Sequence, residues 1–375
     1  MENTFNIDQK SLTTILSSMQ PICAKRTTLD ATTSILFQAD HKELVIKSTD
    51  LEISLQYSCS LNKSEFEDSR AFLVSGKRVF DLVKELEGDI KFCLDGNRVC
   101  LVAGSAELSL NIKDAQEFPP FPERIENLME LDSKLLLSML EKVAFLIPQN
   151  NSNSALNGLF IEVDNQELKM TATNGHCLAQ AKTSQYTLEK PASWLIPKRA
   201  VFELKKIIEV SGQESVFIGT CGNQLVFSND SFNFFTKLLS DKFPQYRPIL
   251  EKTGFNKGAV KRLDLLKSLR RSSCMLSGQF IPTQFSFSSD YITISIQNKE
   301  VGTLQETIKL ESFDCDNLEI RFYAPYLING LQVLTQENIA FYISSSGRPI
   351  IFENVEDAIE VVYLVMPVSP TNNAQ

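Results

Sequence analysis

The neighbouring side chains that most suggest catalysis are His176 and Cys177, in the segment ATNGHCLA. A cysteine activated by a base is a nucleophile, but adjacent residues on a strand point to opposite faces and cannot form a hydrogen-bonded dyad. No GxxxxGK[ST], GxSxG or HExxH motif is present. We therefore predict that the protein is not an enzyme. A hydrolase that uses His176 and a nearby carboxylate remains the minor alternative, and a turn or a binding surface explains this histidine better.

Metal and cofactor chemistry are not predicted either. The chain has two histidines, and its eight cysteines include no CxxC pair. Scattered reduced cysteines are typical of a cytoplasmic protein. No run of 18 apolar residues predicts a membrane span, and the N-terminal residues do not resemble a secretory signal.

Positive charge is the second feature that can do chemistry, because lysine and arginine bind phosphate. The net charge of −9 taken alone argues against a nucleic-acid partner. Six segments with helical spacing nevertheless hold 17 lysine and arginine residues against nine acidic ones, which leaves −17 on the rest of the chain. These segments are residues 8–26, 75–87, 132–146, 197–209, 260–273 and 322–335. A solvated helix face normally mixes signs, so the pattern predicts binding to phosphate. No aromatic platform or recognition-helix signature accompanies these residues, so the predicted contact is with the backbone of a nucleic-acid duplex and is independent of sequence.

The fifth of these helices shows how the charge is separated from the core. Its predicted apolar stripe is Leu263, Leu266 and Leu269, with Lys267 and Arg270 off the stripe.

The elements that position these residues recur three times along the chain. The segments VSGKRVFDLVKEL, IPKRAVFELKKII and FYAPYLINGLQVL begin at Val74, Ile196 and Phe322. Other segments recur in the same order, which predicts a repeated domain of about 125 residues, the size of a self-sufficient unit. The predicted domains are residues 1–128, 129–253 and 254–370, followed by a tail at 371–375.

Each repeat reads as helix, strands, helix, strands, which predicts an α+β fold. In the first repeat, strands are expected at 35–39, 44–48 and 53–59, and a hairpin at 90–102 turns at Asp95-Gly96-Asn97. Leu108 and Leu110 alternate with polar residues like a half-buried strand.

At this point the residues resemble the bacterial DNA polymerase III sliding clamp, the β subunit. The similarity is strongest at LNGLFIEV (156–163), ATNGHCLA (172–179), WLIPKRAVFEL (194–204), FFTKLLSDKFPQYRPIL (234–250) and VYLVMPV (362–368). The resemblance implies three clamp domains per chain, each with two helices against antiparallel sheets, and two chains closed head to tail into a ring around duplex DNA.

The implied function is that of a processivity factor without catalysis or cofactor. It would tether the replicative polymerase subunit, the clamp loader and repair polymerases through short peptide motifs. The alternative is a diverged clamp-fold scaffold that binds peptides without encircling DNA.

The resemblance also implies a hydrophobic peptide-binding cleft between the second and third domains. The matching positions are Leu156, Thr173, Gly175, His176, Leu178, Pro244, Ile249, Met366, Pro367 and Val368. Such residues offer an apolar pocket of adaptable shape. Cys177, Pro248 and Ser369 depart from the family pattern, so we expect the rim of the cleft and its peptide preference to differ.

Two further sets of residues follow from the resemblance and from the charge pattern. Candidate DNA contacts that match the family are Arg26, Lys198 and Arg199, while charge alone supports Lys25, Lys77, Arg78, Lys205, Lys261 and Arg270. For the dimer interface, Leu108 and Leu110 of the first domain would meet Met275 and Leu276 of the third domain of a second chain.

Overall fold

The computed structural model describes residues 4–24, 29–61, 63–66, 68–122, 124–315, 317–344 and 347–368. Within these ranges the α-helices are α1 (Gln9–Met19), α2 (Gly76–Val83), α3 (Ser133–Val143), α4 (Lys198–Ser211), α5 (Arg262–Ser273) and α6 (Ala324–Val333). Short 3-10 helices span Asp30–Thr33, Ala115–Glu117, Ala144–Leu146, Ser154–Leu156 and Arg247–Leu250. The six predicted helices are confirmed.

The first helix ends earlier than predicted. We expected it to extend to residue 26, but it stops at Met19. Pro21 follows two residues later, and a proline cannot donate the backbone hydrogen bond that would continue the helix.

The strands, in chain order, begin with β1 (Thr4–Asp8), β2 (Ser34–Ala39), β3 (Glu43–Thr49), β4 (Ile53–Ser60), β5 (Lys63–Ser64), β6 (Arg70–Ser75), β7 (Asp89–Asp95), β8 (Arg98–Ala103), β9 (Ala106–Asn111), β10 (Lys113–Asp114), β11 (Glu126–Asp132), β12 (Gly158–Val163) and β13 (Leu168–Thr173). They continue with β14 (Cys177–Thr183), β15 (Ala192–Pro197), β16 (Ser215–Cys221), β17 (Gln224–Ser228), β18 (Phe232–Lys237), β19 (Asn256–Lys261), β20 (Thr283–Phe287), β21 (Tyr291–Asn298), β22 (Gly302–Phe313), β23 (Leu318–Phe322), β24 (Asn338–Ile343), β25 (Ile350–Glu356) and β26 (Ile359–Val365).

The chain divides into two compact units. The first comprises Met1–Leu137 and Arg199–Leu238, and the second comprises Ser138–Lys198 and Leu239–Gln375. The first unit contains a sheet in the order β5-β1-β7-β8-β9 and another in the order β10-β6-β2-β3-β4-β18-β17-β16-β11. The second unit contains a sheet in the order β15-β12-β13-β14-β26-β25-β24-β19-β22-β21-β20-β23. Every strand pair among the described residues is antiparallel, so the predicted α+β class is confirmed.

In the first unit, the predicted hairpin turns where the sequence indicated. Asp95 pairs with Arg98, and Gly96 between them has a φ of +53°. Glycine reaches this left-handed region without a steric cost. The alternation predicted for β9 is also present, because Leu108 and Leu110 are half-buried on one face of this strand while their neighbours are exposed.

In the second unit, one row of paired side chains crosses the sheet on a single face. Leu178, Leu364, Ile351 and Tyr342 follow one another across β14, β26, β25 and β24. Phe243, Tyr246, Leu250 and Phe255, from the segment that follows β18, pack on this apolar row. This part of the sheet face is therefore partly covered by its own chain.

Helix α6 packs on the opposite face of the same sheet. Gly330 of α6 lies directly against the ring of Tyr363, where a Cβ would come within 1.9 Å of a ring carbon. Only glycine lets helix and ring approach this closely.

The predicted apolar stripe of α5 was partly wrong. The helix buries Leu265, Leu266 and Leu269, while Leu263 is 50% exposed. The buried stripe includes two consecutive leucines, so it is wider than the single row at every third residue that the prediction used. The basic residues Lys267 and Arg270 remain on the exposed side, as predicted.

Candidate functional site

The residues expected to form the cleft begin at a tight turn before β14. Asn174 Oδ1 accepts hydrogen bonds from the N–H groups of His176 and Cys177, at 2.9 and 2.8 Å. Thr173 Oγ1 accepts from the Gly175 N–H at 3.2 Å and donates to the Cys177 carbonyl at 2.7 Å. Gly175 has a φ of +90°, which a residue with a Cβ adopts only with strain. The turn therefore holds Gly175 and His176 at the surface.

The end of the last strand lies beside this turn. β26 pairs with β14, and the Met366 N–H donates to the His176 carbonyl at 2.8 Å. Two residues later, the Val368 N–H donates to the Arg321 carbonyl at 2.8 Å. Met366, Pro367 and Val368 thus follow a fixed path away from His176, and all three side chains are half-buried.

An apolar floor underlies these residues. Leu178, Tyr246, Ile351, Val362 and Leu364 form one buried cluster. Met366, Leu250 and the side chains that cover the sheet pack against it while remaining partly exposed. A partly exposed apolar surface with a few polar groups at its edge is suited to binding the side chains of a short peptide.

The remaining predicted cleft residues take different positions. Leu156 and Thr173 are buried, and the Cδ1 atom of Leu156 would lie 3.9 Å from a Cβ placed on Gly175. Pro244 and Ile249 are exposed, Ile249 by 36%. Leu156 thus lies beside Gly175, and the backbone of Met366 is hydrogen-bonded to that of His176. The Met366 side chain packs against the cluster that contains Leu178.

The rim role predicted for Cys177 was wrong. Cys177 is 2% exposed and lies on the face of β14 opposite to Leu178, next to the Tyr363 hydroxyl. Burial raises the pKa of its thiol to about 12, and the hydrogen bond with Tyr363 lowers it slightly. The thiol therefore stays protonated and cannot contribute to the rim. Pro248 is exposed, and Ser369 lies outside the described residues.

Sequence reasoning missed an aromatic neighbour of the cleft. The His176 imidazole stacks on the Tyr326 ring with centroids 5.5 Å apart, and Tyr323 meets Tyr326 edge to face at 5.0 Å. The sequence of residues 322–335 predicts a helix without lysine, arginine or acidic residues. Its tyrosines at the start of α6, one helical turn apart, were the signal that could have placed them on one face.

The His176 ring shows no catalytic partner. Among the hydrogen bonds and ion pairs of the described residues, none joins this imidazole to a carboxylate, as the hydrolase alternative required. The same residues contain no group of three or more histidine, cysteine or acidic side chains that could hold a metal ion. No helix found in these residues is long and apolar enough to cross a membrane.

The candidate DNA contacts fall into two groups. Lys77 and Arg78 on α2, Lys261 before α5, and Arg270 near the end of α5 are exposed and form no ion pair within the described part of the chain. Lys25 and Arg26 lie outside that part.

The second group makes contacts within its own unit. The Lys198 ammonium donates to the Ile147 carbonyl at 2.7 Å. Arg199 pairs with Asp50 and donates to the Pro21 carbonyl at 2.9 Å. Lys205 is half-buried. These side chains have structural roles whether or not they also meet phosphate.

The candidate interface residues lie at strand edges. β9 is the end strand of its sheet, so Leu108 and Leu110 stand beside an edge that no described strand pairs with. In the second unit, Gly302–Lys309 of β22 pairs with β21 on one side, and among the described strands the other side meets β19 only from Leu310. Met275 is half-buried near Gly302, whereas Leu276 is only 6% exposed and offers little surface. Unpaired edges of this kind can join another chain.

Comparison with known protein families gives matches along nearly the whole chain. Residues 3–122 match the N-terminal domain of the DNA polymerase III beta subunit, residues 130–245 its central domain, and residues 249–369 its C-terminal domain.

Individual relatives agree with the family profiles. The chain is 27% identical over 367 residues to a beta sliding clamp of Proteus mirabilis, covering 97% of this chain and 99% of that protein. It is 25% identical over 369 residues to a beta sliding clamp of Chlamydia pneumoniae, covering 97% and 98%.

Solved structures share the fold. A DnaN sliding clamp from Pseudomonas aeruginosa bound to griselimycin superposes with a TM-score of 0.89 at 23% identity, covering 98% of this chain and all of that one. A DNA polymerase sliding clamp from Bacillus subtilis gives the same TM-score, identity and coverage.

Proposed function

Because this chain belongs to the DNA polymerase III beta subunit family and is a DNA sliding clamp, we propose that it works as a homodimeric ring with two separate contact surfaces. Its basic helices hold duplex DNA, and the cleft beside Met366 holds peptides of the polymerase and of other partners. The ring carries out no catalysis of its own. Its three domains span residues 1–128, 129–253 and 254–370.

The observation that carries the DNA surface is the exposed positive charge on the helices. Lys77, Arg78, Lys261 and Arg270 reach solvent without an acidic partner among the described residues, although the chain as a whole carries −9. Contacts with phosphate alone are weak, exchangeable and independent of sequence. A closed ring needs no stronger contact, because its topology keeps it on the duplex while it slides.

The ring joint uses the two unpaired strand edges. β9 of one chain would pair with the Gly302–Lys309 part of β22 in the other, with Leu108, Leu110 and Met275 forming the apolar contact. Leu276 would support this surface from inside the fold. A head-to-tail contact closes only when the angle between successive chains is right, and three similar domains per chain allow two chains to complete the circle.

The peptide surface rests on the apolar floor and the turn beside it. Leu178 and Met366 offer apolar contact, and the backbone around Gly175 and His176 supplies polar groups at the edge. Small interfaces depend mainly on a few buried apolar anchors. A peptide would therefore bind through one or two apolar side chains, and its polar residues would fix its direction.

Retention on DNA of different topology tests the ring directly. The clamp would be loaded by its clamp loader onto a nicked circular plasmid and separated from free protein by gel filtration. We expect the protein to stay with the circle and to be lost once the plasmid is cut at one site. Loss at equal rates from circular and linear DNA would contradict encirclement.

Charge variants separate the basic helices from the ring itself. Lys77→Glu combined with Arg78→Glu should weaken binding equally on all sequences and should make the affinity less dependent on salt. Lys190→Glu combined with Lys242→Glu is the matched control, because both residues are exposed and lie outside the helices. Equal losses for the two pairs would show that net charge, and not the helical surface, determines binding.

A further inference from the structure

A cavity in the second unit adjoins the floor around Met366 and shares Tyr246 with it. It has a volume of about 430 Å³ and is lined by residues 160, 162 and 243–248. Of the ten residues predicted for the cleft, it shares only Pro244. Its volume is within the range of pockets that accept small ligands or single large side chains.

Aromatic rings and prolines form most of the wall. The rings of Phe160 and Phe243 stack with centroids 4.8 Å apart and an angle of 11° between their planes. Phe243 meets Tyr246 edge to face at 5.9 Å and 77°. Pro244 and Pro248 complete the lining. Flat apolar walls of this kind favour another ring, which can add stacked or edge-to-face contacts.

A buried hydrogen-bond network fixes the position of this wall. The Gln180 amide donates to the Tyr246 hydroxyl and to Thr171 Oγ1, both at 3.0 Å. The Tyr246 hydroxyl in turn donates to Glu162, and Arg247 donates to the same carboxylate at 2.9 Å. Burial, reinforced by Glu162, raises the pKa of Tyr246 to about 12, so the phenol keeps its proton at neutral pH. A satisfied network of this kind makes the segment rigid.

The cavity is continuous with the proposed cleft through one short segment. Pro244 belongs to both surfaces, and Ile249 of the cleft directly follows Pro248 of the cavity. A peptide that leaves the cleft across this segment would place its next side chains over the cavity. No charged group of the cavity is left without a partner, since Glu162 is already paired with Arg247.

We infer that this cavity is an accessory pocket for an aromatic side chain that flanks the cleft-binding motif of a partner peptide. The inference rests on the proposed function and extends it, because it names a determinant of partner choice outside the cleft. Partners with such a flanking ring would bind more tightly than partners that carry only the motif.

Fluorescence anisotropy with synthetic peptides tests the pocket on the full-length protein. The probes are labelled peptides that copy the clamp-binding segment of the polymerase subunit, with tryptophan or alanine at each of three flanking positions on either side. We expect one flanking tryptophan to tighten binding about five- to twentyfold relative to alanine, as burial of one ring predicts. Phe243→Leu should remove this gain, and any loss that it also causes for the alanine peptides measures its separate contact with the floor.

Two further variants separate a local effect on the cavity from a general effect on folding. Arg247→Ala changes the exposed rim of the cavity and should reduce the gain in affinity from the flanking tryptophan. Loss of the ion pair between Arg247 and Glu162 should lower the free energy of unfolding by no more than a surface ion pair contributes. Tyr291→Leu is the matched control, since this ring is 48% exposed in the same unit and away from the cavity residues. It should leave all affinities unchanged.

The outcomes distinguish the pocket from the cleft. If no flanking tryptophan helps by more than twofold, or if the gain survives both Phe243→Leu and Arg247→Ala, the accessory pocket is wrong and the cleft stands. If the unflanked peptide does not bind at all, the proposed peptide surface fails, and this inference fails with it.

Discussion

Two strand junctions, one in each unit, use the same backbone turn. In the first unit the turn covers residues 49–53 before β4, and in the second it covers residues 173–177 before β14. Asp50 Oδ1 accepts from two successive N–H groups at 3.0 and 2.8 Å, as Asn174 Oδ1 does at 2.9 and 2.8 Å. The Lys237 N–H donates to the Glu52 carbonyl at 2.9 Å, just as Met366 donates to His176 at 2.8 Å.

The side chains on this shared backbone differ in kind. Where the second unit has His176 and Met366, the first has Glu52 and Lys237, which form an ion pair at 3.3 Å. Where the second unit has the floor residue Leu178, the first has Ser54, whose hydroxyl is hydrogen-bonded to Thr49.

The difference supports the proposed placement of peptide binding at the second junction. The repeated backbone determines where a side chain stands, and the side chain decides whether the junction is satisfied within its own chain or left open to a partner. The first junction is polar and self-paired. The second is apolar, and its surface is only partly covered.

The largest effect that the comparison predicts is on peptide affinity. Met366→Ala combined with Ile249→Ala should weaken binding of a labelled polymerase peptide by about 30- to 100-fold, because each truncation removes an apolar anchor. Lys237→Ala is the matched control, since it shortens the equivalent side chain of the first junction. Anisotropy titration and native mass would be measured together. A loss for Lys237→Ala as large as for the double variant would end the distinction between the junctions.

A second prediction uses the last residue of each turn, which is Cys177 in one junction and Ile53 in the other. The pKa of Cys177 is raised from 9.0 to about 12 by burial. A raised pKa means that the folded state holds its proton above the pH at which the unfolded chain releases it. The buried thiol therefore contributes to the free energy of unfolding in full below pH 9, and this contribution is lost as the pH rises towards 12.

Urea unfolding at pH 8 and pH 10.5 measures this effect. Cys177→Val puts an uncharged apolar side chain at this position, as Ile53 does in the first junction, and should reduce the loss of stability between the two pH values by roughly 2 kcal/mol. Other buried thiols and phenols contribute equally to both proteins, so the difference isolates Cys177. Identical losses for the two proteins would place the titration elsewhere.

Much of this architecture could be predicted from sequence because it is periodic. Helical spacing located all six helices, and the Asp95-Gly96-Asn97 signal located a hairpin, since these depend on local residue types. The repeat itself came from aligning segments about 125 residues apart. The same alignment could have paired Glu52 with His176, but a sequence does not show which side chains across strands touch.

The errors in the site have a common physical cause. Cys177 was expected to alter the rim of the cleft because it departs from the family pattern, whereas strand alternation turns its side chain inward towards Tyr363. Leu263 was assigned to the core of α5 by spacing alone, although the helix turns Leu265 inward instead. Both errors concern whether a side chain points towards the core or towards solvent, and the packing of helix and sheet decides that.

A smaller effect is expected from the residue with positive φ in each turn. Leu51 has a φ of +76° where the second junction has Gly175 at +90°. Leu51→Gly should stabilise the protein by up to about 1 kcal/mol, because relief of the left-handed strain slightly exceeds the entropy that glycine costs. Gly175→Leu should destabilise it by about 1–2 kcal/mol. Urea midpoints that move the same way for both variants would show that the turns are not equivalent.

The smallest effect concerns the ion pair that occupies the first junction. Lys237 and Glu52 are 42% and 66% exposed along their side chains, and exposed pairs contribute at most about 1 kcal/mol, which salt reduces further. Glu52→Gln should therefore change the free energy of unfolding by less than this amount, and 0.5 M salt should remove the difference.

The pair excludes ligands more than it stabilises the fold, since a peptide would have to separate two solvated charges to reach Ser54. Combining Glu52→His, Ser54→Leu and Lys237→Met would test this directly. We expect weak binding of the polymerase peptide to the first junction, measured by anisotropy in a protein that also carries Met366→Ala and Ile249→Ala. A change above 1 kcal/mol for Glu52→Gln would instead make the pair a structural element of the junction.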